Sequence, residues 1–415
     1  MSKISQSGSK AKLTHSVKRH ENLAIIGGKP LFSECLHVGR PNIGNQRRLM
    51  SRLKDMLDRR WLTNNGLYVK EFEKQVAKFL DVKHCIAMCN GTVALEIAVR
   101  ALGMQGEVII PSFTFVATAH CLQWQGISPV FADIDPQNFT IDPVAIKKLI
   151  TPKTTGIIGV HLWGMPCHME ALEKISAEYG IKLLYDASHA FGNSYRGRMI
   201  GGFGSAEVFS FHATKIINTF EGGAIVTNDD DLAARLRLMK NFGFKGMDNV
   251  VYLGTNGKMN EASAAMGLTS LEDIEQFIEA NHRNYAEYRR CLEGIPGISL
   301  LGYDENEKNN FQYVVIEIDS HEAGLDRDEL LSVLQAENVM ARRYFYPGCH
   351  RMEPYRSLFP NASLWLSETE KKALRVICLP NGTAVRRKDV RAICGLIRLA
   401  LENAATLRRR IALKN

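Results

Sequence analysis

The chain has 415 residues, 45% hydrophobic and 23% charged, with 33 glycines and 13 prolines. That composition excludes a disordered, collagen-like or disulfide-scaffold protein and leaves room for two or three domains. The formal net charge of +8 sits at the ends: Lys3, Lys10, Lys12, Lys18 and Arg19, with Arg408, Arg409, Arg410 and Lys414, take nine of the 52 basic residues and leave 43 against 44 acids, so no basic nucleic-acid groove is expected. No apolar run reaches the roughly 18 residues of a membrane span, and the polar start lacks the apolar core of a secretory signal. Nine scattered cysteines without a C-x-x-C pair fit reduced thiols in a cytoplasmic chain and give no metal site.

Residues 1–22 read as a basic flexible tail. Beyond it, 47–57 and 70–80 have the spacing of amphipathic helices. Short apolar runs then alternate with helical segments: runs at 84–89, 108–111, 130–133, 156–160, 182–186, 208–211 and 224–227, helices at 92–102, 115–125, 143–150 and 169–179. Strands alternating with helices predict an α/β domain over 23–255, with a mostly parallel seven-stranded sheet covered on both faces. From 256 the texture changes. Helices at 261–280 and 283–292, a strand at 311–318 (FQYVVIEI), a helix at 327–335, a strand at 376–379 and a helix at 388–403 predict a smaller α+β domain over 256–415.

Ligands of open α/β sheets lie beyond the carboxyl ends of the strands, and four such ends carry chemistry. Cys89-Asn90-Gly91-Thr92 runs from a strand into a helix; it is either an anion site or an ordinary helix cap. Pro111-Ser112-Phe113-Thr114-Phe115 offers an aromatic face. Asp186-Ala187-Ser188-His189 puts a carboxylate at the end of a buried run, where an isolated charge is costly. Ser210-Phe211-His212-Ala213-Thr214-Lys215 delivers a hydroxyl and then a lysine, closed by Gly222-Gly223; a lysine near buried surface has its pKa lowered, as bond formation to a carbonyl requires. An anion cradle, an aromatic face, a carboxylate and a lysine together are what pyridoxal phosphate needs.

Nine motifs in register extend this: WLTNNG (61–66), CNGTVAL (89–95), PSFTFVATA (111–119), HLWGMPCHM (161–169), DASHAFG (186–192), SFHATK (210–215), EGGAIVTND (221–229), GTNGKMNEASAAMGL (254–268) and YFYPGCHRMEPY (344–355). From about residue 28 to 401 the chain resembles the DegT/DnrJ/EryC1/StrS family of nucleotide-sugar aminotransferases, which have the fold-type-I architecture. The resemblance implies that Lys215 bonds the cofactor aldehyde and moves the proton, and that Asp186 pairs with the pyridine nitrogen. It sets His189 beside the phenolic oxygen, gives Gly91, Thr92 and Ser210 to the phosphate, and stacks Phe115 on the ring. Asn256 and Lys258 lie where relatives reach the phosphate or substrate across a subunit interface, which implies a homodimer with shared sites. Asn64, Lys258, Tyr344 and His350 are the implied substrate contacts. A dehydratase branch has histidine at the lysine position, so Lys215 argues against it. The implied reaction moves an amino group from L-glutamate to a nucleotide-linked keto-deoxysugar. The loop around Tyr346-Pro347-Gly348-Cys349-His350 resembles that of members acting at C4 of dTDP-4-keto-6-deoxyglucose. A C3-acting enzyme, or a cofactor-binding protein that is not a transaminase, stays open.

Overall fold

The computed structural model describes residues 20–412. Each of the seven apolar runs forms a strand: β1 (His84–Met88), β2 (Glu107–Pro111), β3 (Ser128–Ala132), β4 (Thr154–Val160), β5 (Lys182–Asp186), β6 (Ala206–Ser210) and β7 (Gly223–Thr227). They make one sheet in the order β1-β7-β6-β5-β4-β2-β3. β7 is antiparallel to both neighbours, and the other pairs are parallel.

Side chains alternate between the two faces of a strand, and both faces here are covered. Cys85, Ala87, Ile157, Leu183, Phe209 and Val226 point into one core with Phe72, Val76 and Leu80 of α2 (Leu67–Leu80), the helix that follows α1 (Gln46–Arg59). Their neighbours Ile86, Met88, Ile158, Leu184, Val208 and Ile225 point into a second core. There they meet Leu95 and Val99 of α3 (Gly91–Ala101), Ala119 and Leu122 of α4 (Ala117–Gln123) and Leu236 of α5 (Asp230–Met239). This is why the runs are apolar throughout: both sides of each strand are inside.

The C-terminal part holds a three-stranded antiparallel sheet, β8 (Ile298–Leu300), β9 (Val314–Ile318) and β10 (Val376–Leu379), with β9 central. Val314 and Ile316 pack there with Leu330, Leu334, Ile393 and Ile397. Packing crosses position 255/256 in both directions: Met259, Ala264, Leu268 and Phe277 join the first large core, and Leu23 and Phe32 join the C-terminal one.

Two elements differ from expectation. The helix pair expected to break near 281 breaks at Asp273, giving Glu261–Glu272 and Ile274–Leu292. The Asp273 Oδ2 accepts the amide of Asn45 (2.8 Å) and its own amide turns back to Ser270, whereas Asn281 is buried in the helix and donates to the carbonyl of Asn310 (2.9 Å). The strand expected from 311 begins at Val314, because Phe311 is left-handed (φ 48°) and Gln312 is drawn aside, its Nε2 donating to the carbonyl of Thr214 (2.6 Å).

Candidate active site

The chemically loaded segments converge at the carboxyl ends of the parallel strands. β1 ends at the N-terminus of α3. Asn90 Oδ1 accepts the amide of Val93 (2.8 Å), so Asn90 is the cap. The amides of Gly91 and Thr92 then have no partner within the helix, at the end where the helix dipole is positive. Ser210 closes this cradle from β6: a Cβ on Gly91 would stand 3.1 Å from the Cβ of Ser210. A Cβ on Gly223 would stand 2.8 Å from the nitrogen of Gly91, so a side chain there would cover the donor.

At the end of β5, Asp186 is buried (6% exposed). Thr118 Oγ1 donates to its Oδ2 (2.9 Å) and the amide of Ser188 to its Oδ1 (3.2 Å). Both contacts fix the orientation of the carboxyl group. His189, one turn on, is also buried; its Nδ1 accepts the amide of Trp163 (3.1 Å). Burial and then the neighbouring Lys215 hold its imidazole well below the ordinary histidine range, so His189 is neutral. Lys215 follows β6, its Nζ donating to Tyr313 Oη at 3.4 Å. Burial lowers its pKa to about 8, against an opposing pull from Asp186. A free amine is thus available near neutral pH, and this is the electronic condition for attack on a carbonyl.

These groups line a cavity of about 310 Å³. Of the residues expected at the site, Gly91, Thr92, Phe115, Asp186, His189, Ser210, Lys215 and Tyr344 line it. Lys215 is its one lysine or arginine among the described residues. Phe345 stacks parallel to His189 (5.8 Å, 9°) and Tyr313 lies 4.6 Å from the same ring, so an aromatic roof faces the polar floor.

Four expected residues lie elsewhere. Asn64 is exposed in the turn before α2. Asn256 is exposed and its backbone bridges to Asn241. Lys258 donates to Asn241 Oδ1 (2.8 Å) over the ring of Phe242. His350 is buried behind the wall, one ring nitrogen on Ser112 Oγ (2.6 Å) and the other on Glu370 Oε1 (2.5 Å). Thr118, Tyr313, Phe345, His212 and Glu221 belong to the site and were not singled out from sequence. Thr118 had a signal, a hydroxyl on a helix directly after an aromatic strand end. Tyr313 had none, since it reads as one more β-former in FQYVVIEI.

The donor set fits pyridoxal phosphate. Amides and a hydroxyl suit a phosphate, a held carboxylate suits a protonated pyridine nitrogen, and an amine of lowered pKa suits the aldehyde.

Known proteins resemble this chain over most of its length. The dTDP-4-amino-4,6-dideoxy-D-glucose transaminase of Shigella dysenteriae is 39% identical over 85% of this chain and 94% of its own. Its namesake in Escherichia coli is 36% identical over 88% and 98%. DesI, solved in the presence of its TDP-sugar product, superposes with a TM-score of 0.90 at 47% identity over 94% of this chain and 99% of its own. Helicobacter pylori PseC, an aminotransferase of pseudaminic-acid biosynthesis, gives 0.82 at 27% over 89% and 100%. The DegT/DnrJ/EryC1/StrS aminotransferase family matches residues 44–398, and with the Lys215–Asp186 cavity intact the chain belongs to that family as a pyridoxal phosphate-dependent aminotransferase of fold type I.

Proposed function

We propose that this enzyme transfers the amino group of L-glutamate to C4 of a dTDP-linked 4-keto-6-deoxyhexose. The observation that carries the substrate reading is the pair of dTDP-4-amino-4,6-dideoxy-D-glucose transaminases matched along nearly their whole length.

In this reading Gly91, Thr92 and Ser210 hold the phosphate, Phe115 covers a ring face, and Asp186 keeps the proton on the pyridine nitrogen. Bound there, pyridoxal phosphate supplies an aldehyde carbon for amine exchange and a ring that withdraws electrons from the neighbouring carbon. With that group bound, the Lys215 amine would accept the proton from Cα of glutamate and, in the sugar half-reaction, would give one to C4. Thr118 and the amide of Ser188 keep Asp186 oriented throughout. Phe345, Tyr344 and Tyr313 exclude water from the roof.

The reading includes a homodimer. Phe115 is 57% exposed, and Asn64 and Asn256 stand outside their own cavity beside exposed Trp61, Leu62, Val250 and Leu253. A second copy would cover these apolar side chains and bring Asn256 and Lys258 to its neighbour's cavity. The reading also includes a cytoplasmic setting, with which nine free cysteines are compatible. Among the described residues, no helix is long and apolar enough to cross a membrane.

A panel of nucleotide-linked keto-sugars tests the substrate. The glutamate-reduced enzyme is expected to regain its visible absorbance with dTDP-4-keto-6-deoxyglucose. Recovery only with a 3-keto isomer assigns C3 instead, and absorbance that never responds to an amino acid rules out a transaminase.

A further inference from the structure

The motif HLWGMPCHM is not used by the reaction as described, yet it touches both halves of the cofactor site. Its segment follows β4. The amide of His161 donates to the carbonyl of Asp186 (3.0 Å), and the amide of Trp163 donates to Nδ1 of His189 (3.1 Å). Trp163 is left-handed (φ 55°, ψ 17°). For a bulky side chain that is a strained conformation, which persists only where the surroundings impose it. They do so here. The indole is fully buried, edge-on to Phe113 (5.7 Å, 87°) and 5.2 Å from Phe139. Tyr303 Oη lies 3.1 Å from the Trp163 carbonyl and 2.7 Å from that of Tyr313, so its one proton is shared between them. Gly164 completes the turn at φ 90°, where a Cβ would stand 2.7 Å from Asn193 Nδ2.

We propose that Trp163 is a positioning residue whose strained amide fixes the tautomer of His189, so that His189 presents an Nε2–H donor to the cavity. An imidazole nitrogen that accepts a hydrogen bond carries no proton. The proton of the neutral ring therefore sits on Nε2, on the side away from Trp163. Nε2 has no hydrogen-bond partner among the described residues and His189 lines the cavity. Of the titratable groups around it, Lys215 and Tyr313 face the ring; the first opposes a second positive charge and the second stays protonated because burial raises it. The acceptor that suits such a donor is the phenolate oxygen beside the carbon that Lys215 engages. Only that last point rests on the cofactor reading, since the tautomer exists without the cofactor.

The test is nitrogen-15 spectroscopy of the full chain labelled at histidine, with and without pyridoxal phosphate, the His189 signals identified by their loss in His189→Gln. Nδ1 is expected unprotonated and Nε2 protonated from about pH 6 to 8, already without cofactor. A protonated Nδ1, or an imidazolium at neutral pH, overturns the proposal. Trp163→Ala, which frees the backbone to leave the left-handed region, should mix the two tautomers, and Trp163→Phe should restore most of the wild-type signal. A double-mutant cycle separates positioning from general stability. In the wild-type background Trp163→Ala should lower kcat about ten- to hundredfold, the worth of one hydrogen bond to a charged group. In the His189→Gln background, whose amide donates without a tautomer, the further loss should be under about threefold. Equal losses in both backgrounds make Trp163 merely structural. If Trp163→Ala does not fold, Phe139→Leu, which loosens the packing around the Trp163 indole, carries the cycle with the same two outcomes. A correct tautomer with no change on cofactor binding would count against the phenolate assignment and leave the Trp163 claim standing.

Discussion

The floor and the roof of the cavity are built in different ways. The floor is made of strand ends. Asp186 closes β5 and Ser210 closes β6, each fixed by pairing with its neighbours within one sheet, and Gly91 opens α3 just beyond β1. The roof comes from more than 90 residues further along the chain and is held by side-chain clamps. The guanidinium groups of Arg327 (4.7 Å) and Arg343 (4.5 Å) both pack on the ring of Tyr346, and His350 is tied to Ser112 and Glu370. Between these two anchors the loop presents Tyr344 and Phe345 to the site. A floor of strand ends places groups rigidly where bonds are made. A clamped loop can be resized without disturbing them, and so is the natural place for substrate choice.

Substitutions in the floor should therefore break the chemistry, and those in the roof should shift recognition. Lys215→Ala is expected to abolish turnover in both half-reactions, because no second lysine or arginine lines the cavity among the described residues; it should still bind cofactor through the cradle and Asp186. Measurable wild-type kcat would remove Lys215 from its role. Asp186→Asn is expected to keep cofactor bound and lower kcat by about two to three orders of magnitude, the usual worth of one oriented electrostatic contact in a dry site. Wild-type single-turnover rates would contradict it.

A third test asks whether the floor is shared between copies. Inactive Lys215→Ala and Asn256→Ala chains, unfolded and refolded together, should recover about a quarter of wild-type activity, since about half of randomly mixed dimers are hybrids with one intact site of two. No recovery, with hybrids demonstrated, keeps Asn256 within its own subunit.

The roof predicts smaller effects. His350→Ala should raise KM for the sugar nucleotide about tenfold, by loosening the loop, while the glutamate half-reaction stays within about threefold; each lost hydrogen bond is worth about 1 kcal/mol. An equal loss in both half-reactions would place His350 in the floor. The smallest effect concerns pH. With its pKa lowered to about 8, Lys215 is protonated below that value and free above it. The rate at which the cofactor-free enzyme captures pyridoxal phosphate should rise toward pH 8 and then level. A rate still climbing toward the ordinary lysine value of 10.5 would mean that burial does not act on this amine.

The same division governs what was legible in the sequence. All seven strands of the large sheet show as apolar runs because both faces of each are buried, and the floor residues follow from asking where those runs stop. The resemblance named Tyr344 and His350 together, but only packing separates them, one on the wall and the other with both ring nitrogens spent behind it. Tyr313 was hidden inside a good β pattern that the left-handed Phe311 cuts short. The helix break at Asp273 depends on an amide 228 residues away, which no local window contains.

The central claim is that Lys215 is the group that engages the cofactor on this floor. Reducing the holoenzyme with borohydride and mapping the modified peptide tests it most directly. The account predicts one pyridoxyl group per chain, on Lys215 in the segment SFHATK. A label on any other lysine, with Lys215 unmodified, would contradict it.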